Sequence, residues 1–132
     1  MLRWIIGIGF GMTVAISAFG QESAGPVDKP LRSTYYACVK GARGVTLTLN
    51  NCIGAEHDYQ DKRLNAAYQK LRASLSQEQR TALRDEERSW IIHRDNACAP
   101  DPHVGTANML DSNQCLLNQT VERAIALEDR TR

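Results

Sequence analysis

The sequence predicts an all-α domain: an antiparallel helical hairpin plus a third C-terminal helix and a short N-terminal helix, stapled by two disulfides. Three observations carry this expectation. Leu64, Tyr68, Leu71 and Leu75 recur at steps of 4, 3 and 4, which is one face of a 3.6-residue period. No Pro or Gly interrupts the chain from Ala55 to Arg88, so nothing in that stretch breaks a helix. Finally, Cys38, Cys52, Cys98 and Cys115 all follow an N-terminal stretch with the features of an export signal, and an even number of cysteines in an exported chain points to disulfides.

Residues 1–20 form the expected signal peptide. Arg3 supplies the positive start, Trp4 to Ile16 are apolar with interleaved Gly, and Ala18-Phe19-Gly20 has the small-x-small form of a cleavage site. The apolar run is shorter than the roughly 20 residues a spanning helix needs, so no stable membrane anchor is expected after cleavage. No Cys marks the cleavage point for lipid attachment. Gly25, Pro26 and Pro30 give residues 21–30 the character of a flexible leader. A single domain over residues 31–130 remains, and its destination is periplasmic or secreted.

Within that domain a short helix is expected from Ser33 to Lys40, ended by Gly41 and Gly44. The long helix follows, with Thr46 or Thr48 as N-cap and Leu49, Ile53, Leu64, Tyr68, Leu71 and Leu75 along its apolar stripe. Ser76 and Gln79 have the S-x-x-Q spacing of a capping box directly after Leu75, so a second helix turns back after a very short connection. Leu83, Trp90 and Ile91 form its apolar side, and Pro100 and Pro102 stop it near Cys98. Asp111 or Ser112 caps a third helix, with Thr106 as an earlier start, and Leu117, Val121, Ala124 and Leu127 face inward.

Four cysteines allow three pairings. Cys38 with Cys52 and Cys98 with Cys115 close short loops across turns and are preferred. The nested alternative, Cys52 with Cys98 and Cys38 with Cys115, stays open because positions equally far from the turn at Leu75 and Ser76 lie at one height on the hairpin, and Cys52 and Cys98 are such a pair. Glu56 and Arg94 are another. Both fall on the continued apolar stripes, so a partly buried Glu56–Arg94 ion pair is expected, with Gln60 and Glu87 as further polar residues on the seam.

Charge and motifs exclude more than they assign. The 132 residues carry a net charge of +1, and Arg3 is the only charge in the first twenty; a basic nucleic-acid binder is disfavoured. There is no G-x-S-x-G element, and the cysteines are accounted for as bridges, so no catalytic nucleophile is expected. The run Asp85-Glu86-Glu87 between two arginines has the pattern of a solvated helix face. His57 and His93 stand level on the hairpin without Cys or carboxylate ligands at matched spacing, a structural pattern rather than a metal site. Gly41-Ala42-Arg43-Gly44 lacks the G-K-[ST] of a phosphate loop, and no cofactor motif occurs. Asn118-Gln119-Thr120 has the glycosylation-acceptor form but lies inside an expected helix. The adjacent Tyr35 and Tyr36 do not both fit an inward face, which leaves one for a contact surface.

Two elements together resemble a known family. Cys52, Glu56, Asp61, Leu64-Asn65, Tyr68, Leu71 and Leu75 are followed by Leu83, Trp90, Arg94-Asp95 and Cys98, then by Cys115, Thr120, Arg123 and Leu127. The D-x-x-L-N-x-x-Y and W-x-x-x-R-D-x-x-C elements, in this order and separation, resemble the LprI-type lysozyme inhibitor family over about Tyr35 to Leu127. Glu87 departs from the pattern, which usually has Gln three residues before Trp. The absence of a lipid-attachment Cys departs from the membrane-tethered relatives. The resemblance implies an exported helical domain, without enzyme activity, that binds a protein partner, a lysozyme, and protects peptidoglycan. An inhibitor of this kind occludes a glycosidase cleft in which two carboxylates act on the sugar bond. The polar loop Asp101 to Asn108 and the hairpin tip Ser74 to Gln79 are the segments available to enter it. The alternative is a cell-envelope interaction module with no glycosidase target.

Overall fold

The computed structural model describes residues 31–132. The expected signal peptide over 1–20 and leader over 21–30 lie outside the described residues. Four helices follow one another: α1 (Ser33–Ala42), α2 (Thr46–Ala73), α3 (Gln77–Ala97) and α4 (Thr106–Asp129). No strand occurs among the described residues.

Two of the expected boundaries shift. The first helix runs to Ala42, two residues past Lys40, and ends on Arg43 (φ 47°) and Gly44 (φ 79°), consecutive left-handed residues that reverse the chain into α2. Neither Thr46 nor Thr48 caps α2; Val45 occupies the N-cap with no side-chain bond. The α3 start agrees with the sequence: Ser76 Oγ accepts from the Gln79 amide at 3.2 Å, and the Gln79 side chain accepts from the Ser76 amide at 2.9 Å. Helix α4 takes the earlier start at Thr106, with Gly105 as N-cap. Ser112 lies inside this helix, where its hydroxyl donates to the Cys98 carbonyl at 2.6 Å instead of capping.

The disulfides join Cys38 to Cys52 and Cys98 to Cys115, with Cα separations of 5.7 and 5.5 Å, inside the usual range. The nested pairing is not formed. The first bridge ties α1 to α2. The second ties the end of α3 to the third turn of α4, across the loop that joins them.

Helix α2 packs most extensively on α4, not on its hairpin partner α3. The two run parallel and in step, since Asn50 meets Asn113, His57 meets Thr120, and Arg63 meets Glu128, at sequence separations of 63, 63 and 65. Two clusters fill this seam. Ile53, Leu117 and Val121 lie near the disulfides with Leu31 and Tyr35 against them, and Leu64, Ala67, Leu71, Leu83, Ala124 and Leu127 lie toward the hairpin turn. Leu117, Ala124 and Leu127 are sealed from solvent, as their inward spacing predicts. Of the expected α3 stripe, Leu83 is buried, Trp90 is partly so, and Ile91 is 41% exposed. That residue looks into a groove rather than a core.

Candidate functional site

Helices α2 and α3 present matching rows of residues to one another. Asp61, Leu64, Asn65 and Tyr68 on α2, and Glu87, Trp90, Ile91 and Arg94 on α3, each follow i, i+3, i+4, i+7 spacing, which puts four side chains on one face. They line one shallow groove of about 170 Å³. Asp61, Leu64, Asn65, Tyr68 and Trp90, the residues that carried the family resemblance, are therefore brought together. Asp95 and Arg123 stand just behind them through their partners.

Within the groove the polar groups hold one another. Asn65 Nδ2 donates to the Asp61 carbonyl at 2.9 Å and to its carboxylate at 3.2 Å. Arg94 donates to Asp95 from Nε at 2.9 Å and Nη2 at 2.7 Å, and its guanidinium lies 5.0 Å from the Trp90 ring centroid. Arg123 approaches the same ring at 5.8 Å. Its Nε donates to Glu87 at 2.9 Å, and its Nη2 to Glu86 at 2.6 Å and to Glu87. Arg130 adds bonds of 2.9 and 3.1 Å to Glu86. Burial works against ionisation of Glu86, yet the hydrogen bonds from Arg123 and Arg130 hold its carboxyl below the usual range. Arg123 is likewise raised: burial disfavours its charge, and the two carboxylates overcome that. The Glu86-Glu87 pair, expected on a solvated face, is thus the ionic link from α3 to α4. No spacing rule pointed to Arg123 as its partner, because the link crosses between helices 36 residues apart in sequence.

The expected Glu56–Arg94 pair is not formed. Glu56 is 1% exposed and is held by Arg32, whose Nε donates at 2.8 Å and whose backbone amide donates at 3.1 Å. Gln60 Nε2 donates to the same carboxylate at 2.7 Å. Arg94 sits instead beside Asp61, so α3 lies roughly one helical turn out of step with the equal-height register. Gln60 and Glu87 are both inward polar residues, but Gln60 bonds Glu56 and Arg63 on its own helix and Glu87 bonds Arg123 of α4. Further along α2, Arg63 makes a two-pronged pair with Glu128 at 2.7 and 2.6 Å. The Arg63 hydrogen bonds hold the Glu128 carboxyl below its usual range against the opposing effect of burial.

His57 Nε2 lies 3.2 Å from the Thr120 hydroxyl, whereas His93 is exposed on α3. Thr120 of the acceptor-form tripeptide is fully buried. Tyr35 is the inward tyrosine, donating to Gln114 at 2.7 Å, and burial pushes its hydroxyl above the ordinary value. Tyr36 is 45% exposed. Among the described residues no group of three or more His, Cys, Asp or Glu is placed to hold a metal ion, and no helix is long and apolar enough to cross a membrane.

Both ends of α3 are held by local hydrogen bonds. At one end the loop after Cys98 is folded on itself: Asp101 accepts from the His103 amide at 2.8 Å, and Asn108 donates to the Asp101 carbonyl at 2.7 Å. At the other, the Ser74 hydroxyl donates to the Leu71 carbonyl at 2.8 Å, and the Ser76 capping box fixes the turn. Residues 38–127 match the family described as Lysozyme inhibitor LprI. No curated protein and no solved structure matches the chain.

Proposed function

The chain belongs to the LprI lysozyme inhibitor family, and on that premise we propose that it is an exported, non-enzymatic domain that binds a lysozyme and blocks its substrate cleft. The carrying observation is the extent of the match, from Cys38 to Leu127, which spans both disulfides and most of the helical core. Two features support the reading. The pair of disulfides suits an oxidising compartment outside the cytoplasm. The polar groups of the α2–α3 groove are engaged with each other, an arrangement suited to holding a shape rather than to moving protons.

In this reading the domain acts by steric exclusion. A glycosidase cleft must admit a polysaccharide chain to reach its two carboxylates, and a rigid protein end seated there excludes the substrate. The two ends of α3 are the segments suited to such a role. The test is lysis of cell-wall substrate by several lysozyme types, with and without the purified oxidised protein. Slower clearing with at least one type is the expected result. Unchanged clearing across the panel sinks the inhibitor reading and favours the envelope interaction module.

A further inference from the structure

The hairpin tip concentrates positive charge that the rest of the chain does not share. Between Gln69 and Arg84, Lys70, Arg72, Arg80 and Arg84 stand against one carboxylate, Glu78, in a chain whose overall charge is +1. Arg72, Arg80 and Arg84 surround an open depression of about 330 Å³ beside Tyr68, and no carboxylate lines it. Arg80 is held in place through Nε, which donates to the Arg72 carbonyl at 3.0 Å, and it lines the depression. Arg84 is steadied by Asp85 at 2.9 Å.

These arginines differ from those of the seam. Arg32, Arg63 and Arg123 each meet a carboxylate on another segment, whereas no ion pair among the described residues uses Arg72 or Arg80. A guanidinium fork fits a carboxylate through two parallel hydrogen bonds, and a preorganised fork loses less freedom on binding than a free one. The turn between them is fixed by the capping box, and Leu75 anchors it to the core.

We propose that the α2–α3 tip is the inhibitory surface, with Arg72, Arg80 and Arg84 seated against the carboxylates of a glycosidase cleft. This rests on the inhibitor reading and adds to it the contact surface and its chemistry. The charge match is local: two acidic groups are what such a cleft must contain to act on the sugar bond, and the tip carries Arg72 and Arg80, unpaired among the described residues, to meet them. The stapled loop after Cys98, with Asp101 at its start, lacks that complementarity.

The experiment measures half-inhibiting concentrations against a lysozyme that the wild-type protein inhibits. It compares the double variant Arg72→Glu/Arg84→Glu, the neutral Arg72→Gln/Arg84→Gln, the charge-keeping Arg72→Lys/Arg84→Lys, and Lys40→Glu/Arg43→Glu on α1 and its cap as a matched change of net charge. Folding of each is checked by its helical spectrum and melting temperature. The Glu pair is expected to weaken inhibition by about 30-fold or more and the Gln pair by about tenfold; the Lys pair, which keeps the charge and loses the fork, is expected to fall between wild type and the Gln pair, and the α1 control to stay within about threefold of wild type. Unchanged inhibition by the Glu and Gln pairs, or an equal loss in the α1 control, overturns the assignment of the tip while leaving the inhibitor reading intact. A wild-type protein that inhibits no lysozyme removes that reading and the tip assignment with it.

Discussion

Between α2 and α4, Leu117, Ala124 and Leu127 are fully buried, whereas α3 buries only Leu83 among its 21 residues and leaves Ile92 63% exposed. The α2–α4 seam is held by packing along its length, in step from Asn50–Asn113 to Arg63–Glu128. Helix α3 is held at separate points: Leu83 in the core, Trp90 and Glu87 against Arg123, and Cys98 bridged to Cys115. A small domain has limited apolar area to bury. Here it is concentrated on one helix pair, and a covalent and ionic frame positions the third.

The largest effect is expected inside the seam. Leu117→Ala removes a fully buried side chain between α4 and Ile53 and is expected to lower unfolding free energy by about 3 kcal/mol, read from a urea midpoint. Replacing Cys98 and Cys115 together by Ser is expected to cost about 2 to 4 kcal/mol in the loop-closure picture. Its diagnostic sign is selective: hydrogen exchange should rise along α3 and the loop after it, with α2 and the second half of α4 still protected. Uniform acceleration would erase the distinction between the two regions.

Next in size is the buried carboxylate. Glu56→Ala leaves the Arg32 amide and Gln60 Nε2 without their shared acceptor, and a loss of about 2 kcal/mol is expected. Arg94→Ala should act independently of it, so the double variant Glu56→Ala/Arg94→Ala should lose the sum of the single losses. A non-additive cycle would restore the pairing that the one-turn offset of α3 excludes.

Acid sensitivity sharpens the comparison further. Folding lowers the proton affinity of Glu86 and Glu128, so the unfolded chain binds more protons in acid. Their contribution is complete above the ordinary carboxylate range and is lost as pH falls through it and below. Arg123→Gln should therefore reduce the fall in urea midpoint between neutral pH and pH of about 3. A fall as steep as wild type would remove Glu86 from the account. The smallest effect belongs to Ile92→Ser on the open face of α3, expected within about 0.5 kcal/mol by the same measurement.

Legibility from sequence follows the range of each interaction. The α2 stripe, the Ser76–Gln79 box and the inward face of α4 are set within a few turns of chain, and the spacing of those residues carries them. The sequence-near disulfides agree with short loop closure. Partners set by tertiary placement did not show in the spacing. Equal heights on a hairpin assume two helices in step, and α3 is displaced by roughly a turn, so Arg94 misses Glu56. Arg32 precedes the first helix, and nothing in its local pattern points at a residue 24 positions ahead. The start of α4 stayed open between Thr106 and Asp111 or Ser112, because Gly105 caps without a side chain. The groove residues were legible as a resemblance, while their convergence on one face needed both helices in place.

Hydrogen exchange of the oxidised protein, alone and with excess lysozyme, tests the account most directly. It predicts added protection confined to residues 69–84 at the hairpin tip, on an otherwise unchanged pattern. Protection centred on residues 98–110, or no change anywhere with any lysozyme, would contradict it.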